Sequence, residues 1–569
     1  MTQPTPTTQI CVPIMVETHS EALRDATLAA EHGADLVEFR VDVFYEDRSD
    51  DEKGMVEQLH DRIDRVLDLV EVSPVPCIVT CRPHWEGGEY HGDDADRIAL
   101  YEALGTSDSP PAYVDVELAT FTRSDQIKAR ITQALAKADD SPATRLILST
   151  HDFEGRPSDL TRKIMAMQDE PACSVVKVAY RARSIRDNLE LLEILRDRQK
   201  PTIALGMGAF GVMSRILAPK FGGFLTFASL RDESTTAPGQ ITIDELLGLY
   251  HFRSITPTTK VYGIIGWPIT QSMSPMVHNA GFEAIGWDGV YVPMPVEGSY
   301  ESFKATISIL ATHQQLHFSG ASVTIPHKQN AIRLMRELAE SQRLDESATD
   351  PENLRNTIKA SNTISNIRCD ERGDEFEFTL HNTDTTAIES LITQAVAPRQ
   401  MSEISAHIYG AGGVARAAAY PLSAMGASLY LFNRSFVPAH NLYTEIEDSL
   451  ADAPVCGDIY IPDAEKASLQ PCDLLINCTP VGMKYGPDPD ALSIPIPDMP
   501  NLAPETVFFD TVYNPIETPM LKAAKDRGYR TIDGAAMFVK QAEAQFEIWT
   551  GASAPDGLFD RLVRERLGG

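Results

Sequence analysis

Cysteine is scarce in this chain, with eight in 569 residues and no CxxC pair. Cys77, Cys81, Cys173 and Cys478 lie in or beside strand-like runs. They read as small reduced hydrophobes of a cytoplasmic protein, and no metal site is expected. No apolar run is long enough to span a bilayer. The opening MTQPTPTTQI has neither the basic-then-apolar pattern of a signal peptide nor the arginine richness of a transit peptide. Basic residues are outnumbered, 50 against 81 acidic ones, for a formal charge of −31. That balance excludes nucleic acid and anionic membrane as partners and leaves small molecules. The acidic run Glu46–Lys53 reads as a solvated loop. For an anionic substrate, the cations of a site must act locally against this field.

A hydrophobic content of 43% is ordinary, and 569 residues exceed one core, so two large domains are expected. Eight short strand-like runs begin at Cys11, Ala34, Pro76, Ala112, Arg145, Cys173, Pro201 and Gly223. Most are separated by stretches of helical period, such as SEALRDATLAAEHG and RDNLELLEILRDR. Eight β–α units in about 250 residues predict a (β/α)8 TIM barrel, with an open doubly wound sheet as the competing arrangement.

The sixth run, CSVVKVAY, has the β-branched content of a strand buried on both faces, yet carries Lys177. An ammonium there is either paired or driven towards the neutral amine, a nucleophile for carbonyl carbon. In a barrel, chemistry collects at the C-terminal strand ends. That rim is expected to hold Glu38, Arg40 and Asp42, then Arg82 and Glu86, then Glu117, His151, Lys177 and Arg215. Thr236, Pro238 and Gln240 follow the eighth strand. Such a set suits a carbonyl-bearing carboxylate substrate, an iminium intermediate and proton shuttling by His151.

On EFRVD, TCRPHWEGGE, STHDFEG, VVKVAY, MSR and APGQ, residues 10–251 resemble type I 3-dehydroquinate dehydratase. The resemblance implies dehydration of 3-dehydroquinate to 3-dehydroshikimate. Lys177 would form the Schiff base, with His151 as general acid/base and Glu86 supporting it. Arg215 would clamp the substrate carboxylate, and Glu38, Arg40, Arg82 and Gln240 would hold its hydroxyls. Thr236 stands where the family usually has serine, so its hydroxyl survives with an added methyl group.

The polar stretch YHFRSITPTT marks the boundary to a second half. There Ser272 and Ser274 precede a helix start, where capping alone would account for Ser274. Lys328 stands at a helix start that the helix dipole disfavours for lysine. Asn362 and Asp384 follow at later strand ends. The run ISAHIYGAGGVARAAAY is a strand, the turn Gly410–Ala411–Gly412–Gly413–Val414–Ala415 and a helix, the context a dinucleotide fingerprint demands. Pro421 is expected to kink or end that helix. The next strand ends in Asn433, Arg434 and Ser435 instead of an acidic residue, which favours a 2′-phosphate and hence NADP.

This half resembles shikimate dehydrogenase on SMSP, SVTIPHK, ASNTI, NTD, GAGGVARA, NRS, NCTPVGM, DTVYNP and MFVKQ. The resemblance implies a two-lobed α/β dehydrogenase. Its substrate lobe would span residues 260–388 and its Rossmann-like NADP lobe residues 389–569. The C-terminal helix would return to the substrate lobe. Lys328 and Asp384 would be the catalytic pair. Ser272, Ser274, Thr324, Asn362, Tyr513 and Gln541 would bind substrate, and Thr479 would join the glycine turn and Asn433–Ser435 around the cofactor. NRS in place of the commoner NRT, and the absence of glycine after NTD, are departures. The two halves stand in the order of the bifunctional dehydroquinate dehydratase/shikimate dehydrogenases, whose reactions are consecutive. A quinate-sensing regulator built from decayed copies should have lost Lys177, His151, Lys328 and Asp384, which are all present. Quinate as the redox substrate is the nearer alternative.

Overall fold

The structure, a computed structural model, describes residues 8–43, 52–136, 144–231, 240–342, 357–370, 372–373, 375–449, 472–494 and 502–568, with backbone alone for 52–59 and 342. It divides into two compact units, the first ending at Thr259 and the second beginning at Lys260.

Eight parallel strands build the first unit. They are β1 (Gln9–Met15), β2 (Leu36–Arg40), β3 (Cys77–Thr80), β4 (Tyr113–Glu117), β5 (Arg145–Asp152), β6 (Cys173–Arg181), β7 (Thr202–Met207) and β8 (Leu225–Phe227). Each pairs with its sequence neighbour from β1 to β7, and β8 pairs with β1. The Phe224 N–H donates to the Thr202 carbonyl at 2.9 Å and brings the remaining edge together, so the sheet closes as a barrel. Closure rather than an open sheet is therefore what the eight repeats specify.

The two-residue period of a strand places two layers inside the barrel. Leu36, Ile78, Tyr113, Ile147 and Val175 form an apolar layer. Two residues further along the same strands stand Glu38, Thr80, Asp115, Ser149 and Lys177, all buried. The adjacent pairings Thr80–Asp115 and Ser149–Lys177 keep this second layer level. Lys177 thus lies at the centre of the nine-residue β6, not at its end as expected from the rim pattern. The acidic run at Glu46–Lys53 enters the helix Glu52–Glu71, and its first six residues lie outside the described residues.

Past the barrel, the buried Lys220 donates its ammonium to the carbonyls of Pro257 and Thr259 at 2.7 and 2.8 Å. The connecting segment is thereby bonded into the first unit.

The second unit carries two sheets. One contains β9 (Lys260–Gly266), β10 (Gly289–Pro295), β11 (Phe318–Val323), β12 (Thr363–Cys369) and β13 (Phe376–His381) in the order β10-β9-β11-β12-β13, with β12 and β13 antiparallel to their neighbours. The other is wholly parallel. It contains β14 (Ser405–Tyr409), β15 (Ser428–Phe432), β16 (Leu474–Asn477), β17 (Val507–Asp510) and β18 (Arg530–Ile532), in the order β15-β14-β16-β17-β18. The order reverses between β14 and β16, the topological switch point at which such sheets take their ligands. The helix Gly534–Thr550 packs back onto the first sheet, where Trp549 Nε1 donates to the Ile364 carbonyl at 3.0 Å. Pro421 lies inside the helix Gly413–Ala424 without ending it, and the next turn is retained by a bond from the Met425 N–H to the Pro421 carbonyl at 2.9 Å.

Candidate active sites

The barrel pocket is built on the second polar layer. Lys177 Nζ donates to Asp115 Oδ2 at 2.8 Å and to Glu38 Oε1 at 3.2 Å, and lies 4.5 Å from the centre of the Phe227 ring. The lysine is therefore paired, the first of the two options its sequence context allowed. Glu38 also accepts from Thr80 at 2.7 Å, and Ser149 donates to Asp115 at 2.6 Å. The charges of Lys177 and of Arg82, whose Nη2 reaches Asp115 at 2.9 Å, dominate its surroundings. Burial would raise the Asp115 pKa, but Arg82 and then Lys177 hold it far below the usual carboxylate range.

Asp115 was not among the residues singled out from sequence. The signal was present in YVDVE, where alternation puts Asp115 on the same strand face as Glu117. Arg82 spends its guanidinium on Asp115, Glu117 at 2.8 Å and Ser149 at 2.8 Å. It serves these partners at least as much as it serves the pocket it lines. Arg40 is bidentate to Asp42 at 2.8 and 3.0 Å.

His151 and Glu86 make the second feature. Glu86 rides on the turn after β3, where Gly88 is required because a Cβ there would stand 2.0 Å from the Arg82 carbonyl oxygen. His151 Nδ1 lies 3.1 Å from Glu86 Oε2. Burial, followed by the positive charges of Arg82 and Lys177, pushes the imidazole well below its ordinary value, so it is neutral. Burial raises Glu86 from 4.5 to about 8, against the pull of Arg82 and with Glu117 and Asp115 adding to the rise. The contact has the geometry of an ion pair, but both shifts make it a hydrogen bond between neutral groups. A neutral imidazole in such a bond is a base ready to accept a proton.

Arg215 differs from every other cation in the pocket. It is 2% exposed, has no carboxylate partner among the described residues, and its Nε has no hydrogen-bond partner. Among the described residues its guanidinium makes a single, long hydrogen bond, from Nη1 to the Phe227 carbonyl at 3.4 Å. Burial alone lowers its pKa from 12.5 to about 10. A buried guanidinium with no counter-ion among the described residues, facing a pocket, is chemically suited to an anion. Gln240 lines the same pocket. Thr236 and Pro238 lie outside the described residues.

In the second unit, Lys328 begins the helix Lys328–Gln342 and Asp384 lies in the first turn of Thr383–Val396. Their side chains meet at 2.5 Å. Asp384 there is stabilised by the helix N-terminus, and its charge offsets the unfavourable position of Lys328. Asn362 binds the neighbouring turn, accepting from the Thr383 N–H at 2.8 Å and donating to its hydroxyl at 3.0 Å. Ser272 donates to Ser274 Oγ at 3.2 Å, and Thr324 closes β11 with its N–H on the Ile265 carbonyl at 2.9 Å. The Gln541 amide donates to the Phe538 carbonyl at 2.9 Å, and the Tyr513 ring lies 5.3 Å from the Phe538 ring. Sequence reasoning passed over Gln545. It accepts from Ser322 at 2.8 Å, donates to Thr363 at 2.9 Å, and so ties the C-terminal helix to β11 and β12.

The glycine turn fits a dinucleotide. Gly410 has φ +117°, and a Cβ there would approach the Cys478 carbonyl oxygen to 2.8 Å. Gly412 caps the helix Gly413–Ala424 with no side chain satisfying its N–H groups, and no atom lies within 4 Å of where its Cβ would be. That is open space over an uncapped helix N-terminus, suited to a pyrophosphate. A Cβ on Gly413 would lie 3.4 Å from Lys328 Cδ, so the turn adjoins the Lys328–Asp384 pair. The register Tyr409–Phe432 sets Asn433–Ser435 beside the turn. Asn433 donates to the Ser435 carbonyl at 2.9 Å, while Arg434 is exposed with no ion pair among the described residues. Thr479 is held against Asn477 Oδ1 at 2.7 Å.

A lysine-centred barrel followed by a two-lobed unit with a dinucleotide turn defines a two-site α/β enzyme of lyase and oxidoreductase type. Residues 10–257 match the type I 3-dehydroquinase family, residues 264–348 the shikimate dehydrogenase substrate binding domain, and residues 534–564 the shikimate 5′-dehydrogenase C-terminal domain. The chain is 34% identical to the bifunctional 3-dehydroquinate dehydratase/shikimate dehydrogenase, chloroplastic, of Arabidopsis thaliana, over 97% of this chain and 84% of that one. It is 32% identical to the shikimate dehydrogenase (NADP(+)) of Methanocella arvoryzae over 54% of this chain and 99% of that one. Against the S. pombe pentafunctional AROM polypeptide it is 28% identical and spans 32% of that protein's length. The solved dehydroquinate dehydratase and shikimate dehydrogenase part of S. pombe AroM covers 98% of both chains at 24% identity and a TM-score of 0.40. The chain belongs to the bifunctional 3-dehydroquinate dehydratase/shikimate dehydrogenase family.

Two expectations follow from the barrel pocket. Arg215→Met removes a buried charge that no carboxylate pairs among the described residues, so thermal unfolding of the barrel should move upward while the KM for dehydration rises. A charged hydrogen bond is worth about 1.5–3 kcal/mol, so the rise should be roughly tenfold to a hundredfold. A variant that binds normally would show that Arg215 does not meet the substrate. Glu86 carries a proton that an unfolded chain would release near 4.5, so its contribution to stability is full below 4.5 and lost as pH rises through about 8. Glu86→Gln should therefore gain stability relative to the wild type over that interval, as read by thermal melts at several pH values. A constant difference would place the ionisation elsewhere.

Proposed function

We propose that the two sites of this shikimate-pathway enzyme act in sequence, the barrel dehydrating 3-dehydroquinate to 3-dehydroshikimate and the second unit reducing that ketone to shikimate. The observation that carries the reading is the meeting, in one pocket, of Lys177, a neutral His151 and an Arg215 that has no carboxylate partner among the described residues.

Arg215 holds the substrate carboxylate and Glu38, Arg40 and Gln240 its hydroxyls. Lys177, its proton passed on within the pocket, adds to the ketone carbon. A C–N bond forms, the carbonyl oxygen takes up two protons and leaves as water, and an iminium remains. His151 removes a proton from the carbon next to the iminium, the electron pair moves into a new C=C bond, and the hydroxyl on the following carbon leaves as water with the proton that His151 returns. Hydrolysis of the iminium frees Lys177 and the enone. Glu86 keeps the imidazole oriented, and Asp115 neutralises the lysine between turnovers.

In the second unit, Ser272 and Ser274 bind the carboxylate, and Thr324, Asn362, Tyr513 and Gln541 surround the ring. NADP is held by the Gly410–Ala415 turn, with Thr479 beside it and Asn433–Ser435 at the ribose phosphate, and when bound it supplies the hydride. Lys328, coupled to Asp384, gives a proton to the ketone oxygen as negative charge develops there. The NADP(+) in the name of the Methanocella relative and the exposed Arg434, with no acidic neighbour in NRS, support NADP over NAD. The boundaries we propose are residues 10–251 for the dehydratase, 260–388 for the substrate lobe and 389–569 for the NADP lobe. We place the enzyme in the cytoplasm, where the buried Cys11, Cys77, Cys81, Cys173 and Cys472 would remain reduced.

The direct test supplies 3-dehydroquinate and NADPH together and follows enone absorbance and NADPH oxidation. Lys177→Ala should abolish dehydration and leave reduction of added 3-dehydroshikimate near wild type. Lys328→Ala should do the reverse, with kcat lowered by roughly 10²–10⁴-fold and KM little changed. Loss of both activities in a folded Lys177→Ala protein would sink the two-site description. Arg434→Ala should weaken NADPH by about 1.5–3 kcal/mol and leave NADH almost unaffected. Equal losses for the two cofactors would make Arg434 a structural residue.

A further inference from the structure

An unbroken chain of buried ion pairs runs from Lys177 to the helix Asp94–Thr106. Lys177 meets Asp115 at 2.8 Å, Arg82 bridges Asp115 at 2.9 Å and Glu117 at 2.8 Å, and Glu117 Oε2 accepts from Arg97 Nη2. Arg97 is fully buried and sits outside the pocket lining. Its geometry is over-determined. Nε donates to the Cys81 carbonyl at 2.9 Å, Nη1 to Asp94 at 3.1 Å, and Nη2 also to the Tyr101 hydroxyl at 3.2 Å.

We propose that Arg97, through Glu117, is a positioning residue for the dehydratase site, holding Arg82 on Asp115 and balancing the charge against which Lys177 gives up its proton. The proposal rests on the reading of Lys177 as the imine-forming residue. Within this chain of contacts three buried cations, Lys177, Arg82 and Arg97, stand against three buried carboxylates, Glu38, Asp115 and Glu117, and the partly exposed Asp94 lies beyond Arg97. Water cannot screen a change in that sum, so a distant member is felt at the reacting amine. The titratable and charged groups around Lys177 are Cys11 from β1, Glu38 and Arg40 from β2, Arg82 and Glu86 beyond β3, Asp115 from β4, His151 from β5 and Arg215 from the helix after β7, with the Phe227 ring beside them. Arg97 and Glu117 are not among them, so replacing either leaves every group that faces Lys177 chemically intact; it changes the net charge behind them and, with Glu117, one partner of Arg82.

Two substitutions then act with opposite sign. Arg97→Met leaves one excess negative charge, which retains the lysine proton and moves imine formation to higher pH. Glu117→Gln leaves one excess positive charge and moves it to lower pH. The double variant restores the balance. Loss of packing alone would give no reversal of sign.

The experiment uses the full chain with 3-dehydroquinate, traps the imine with borohydride across a pH series, and quantifies the Lys177 adduct by peptide mass. Near-UV circular dichroism checks the fold of each variant. The expected midpoint moves up in Arg97→Met and down in Glu117→Gln, each by on the order of one pH unit, and returns close to wild type in the double variant. Should Arg97→Met fail to fold, a downward shift in Glu117→Gln that the double variant reverses still supports the proposal. Shifts of the same sign, or none, in folded variants that form the adduct would overturn it. Absence of an adduct at Lys177 in the wild type would instead overturn the reading beneath it, and the proposal with it.

Discussion

An ammonium group enclosed by a β-barrel persists only if the barrel also encloses its counter-charges, and the Lys177–Asp115 pair is the contact on which the first unit turns. Two buried carboxylates around one lysine would repel each other, so Arg82 is needed against Asp115. Arg82 in turn would over-compensate without Glu117. Each buried charge calls for the next until Arg97, which is met by the Cys81 carbonyl, the Tyr101 hydroxyl and the partly exposed Asp94, itself paired with the exposed Arg123. The polar layer is therefore a mutually dependent set in which few members can be replaced singly at no cost.

Arg215 and Arg434 are the exceptions, and they are exceptions of different kinds. Arg215 is buried with no carboxylate partner among the described residues, a cost to the folded protein that a bound anion would relieve. Arg434 is exposed, so water solvates it and it costs the fold little, whether or not a phosphate is bound. The barrel site is preorganised by internal charge. The cleft of the second unit relies on backbone, with a glycine turn, an uncapped helix and one tight lysine–aspartate pair.

Much of this arrangement is legible in the chain. The eight apolar runs are long enough, and regularly enough spaced, to name the barrel. Lys177 stands out because lysine is foreign to a doubly buried strand. GAGGVA is readable because its strand and helix flank it. What escapes is whatever depends on which strand face points inward. Asp115 looks like an ordinary strand carboxylate until β4 is paired with β3 and β5 and faces Lys177. Arg97 looks like a solvated residue of DADRIALYEALG because its partner is 20 residues away on another strand. Gln545 reads as one more polar position on a helix because β11 and β12, which it joins, lie some 180–220 residues earlier. Pro421 was expected to disturb its helix, but one missing N–H is tolerated where the flanking turns are packed.

Lys220 gives the connecting segment a second meaning. Its ammonium is buried and takes the carbonyls of Pro257 and Thr259 as acceptors, so those residues are part of the barrel's own hydrogen-bond inventory. Proteolytic cleavage before Pro257 would strip both acceptors from a charge that water does not reach. Cleavage after Thr259 would leave them in place. The point at which the two activities can be parted without harm to the first is thus set by a lysine some 40 residues upstream, and not by the polar composition of the linker itself.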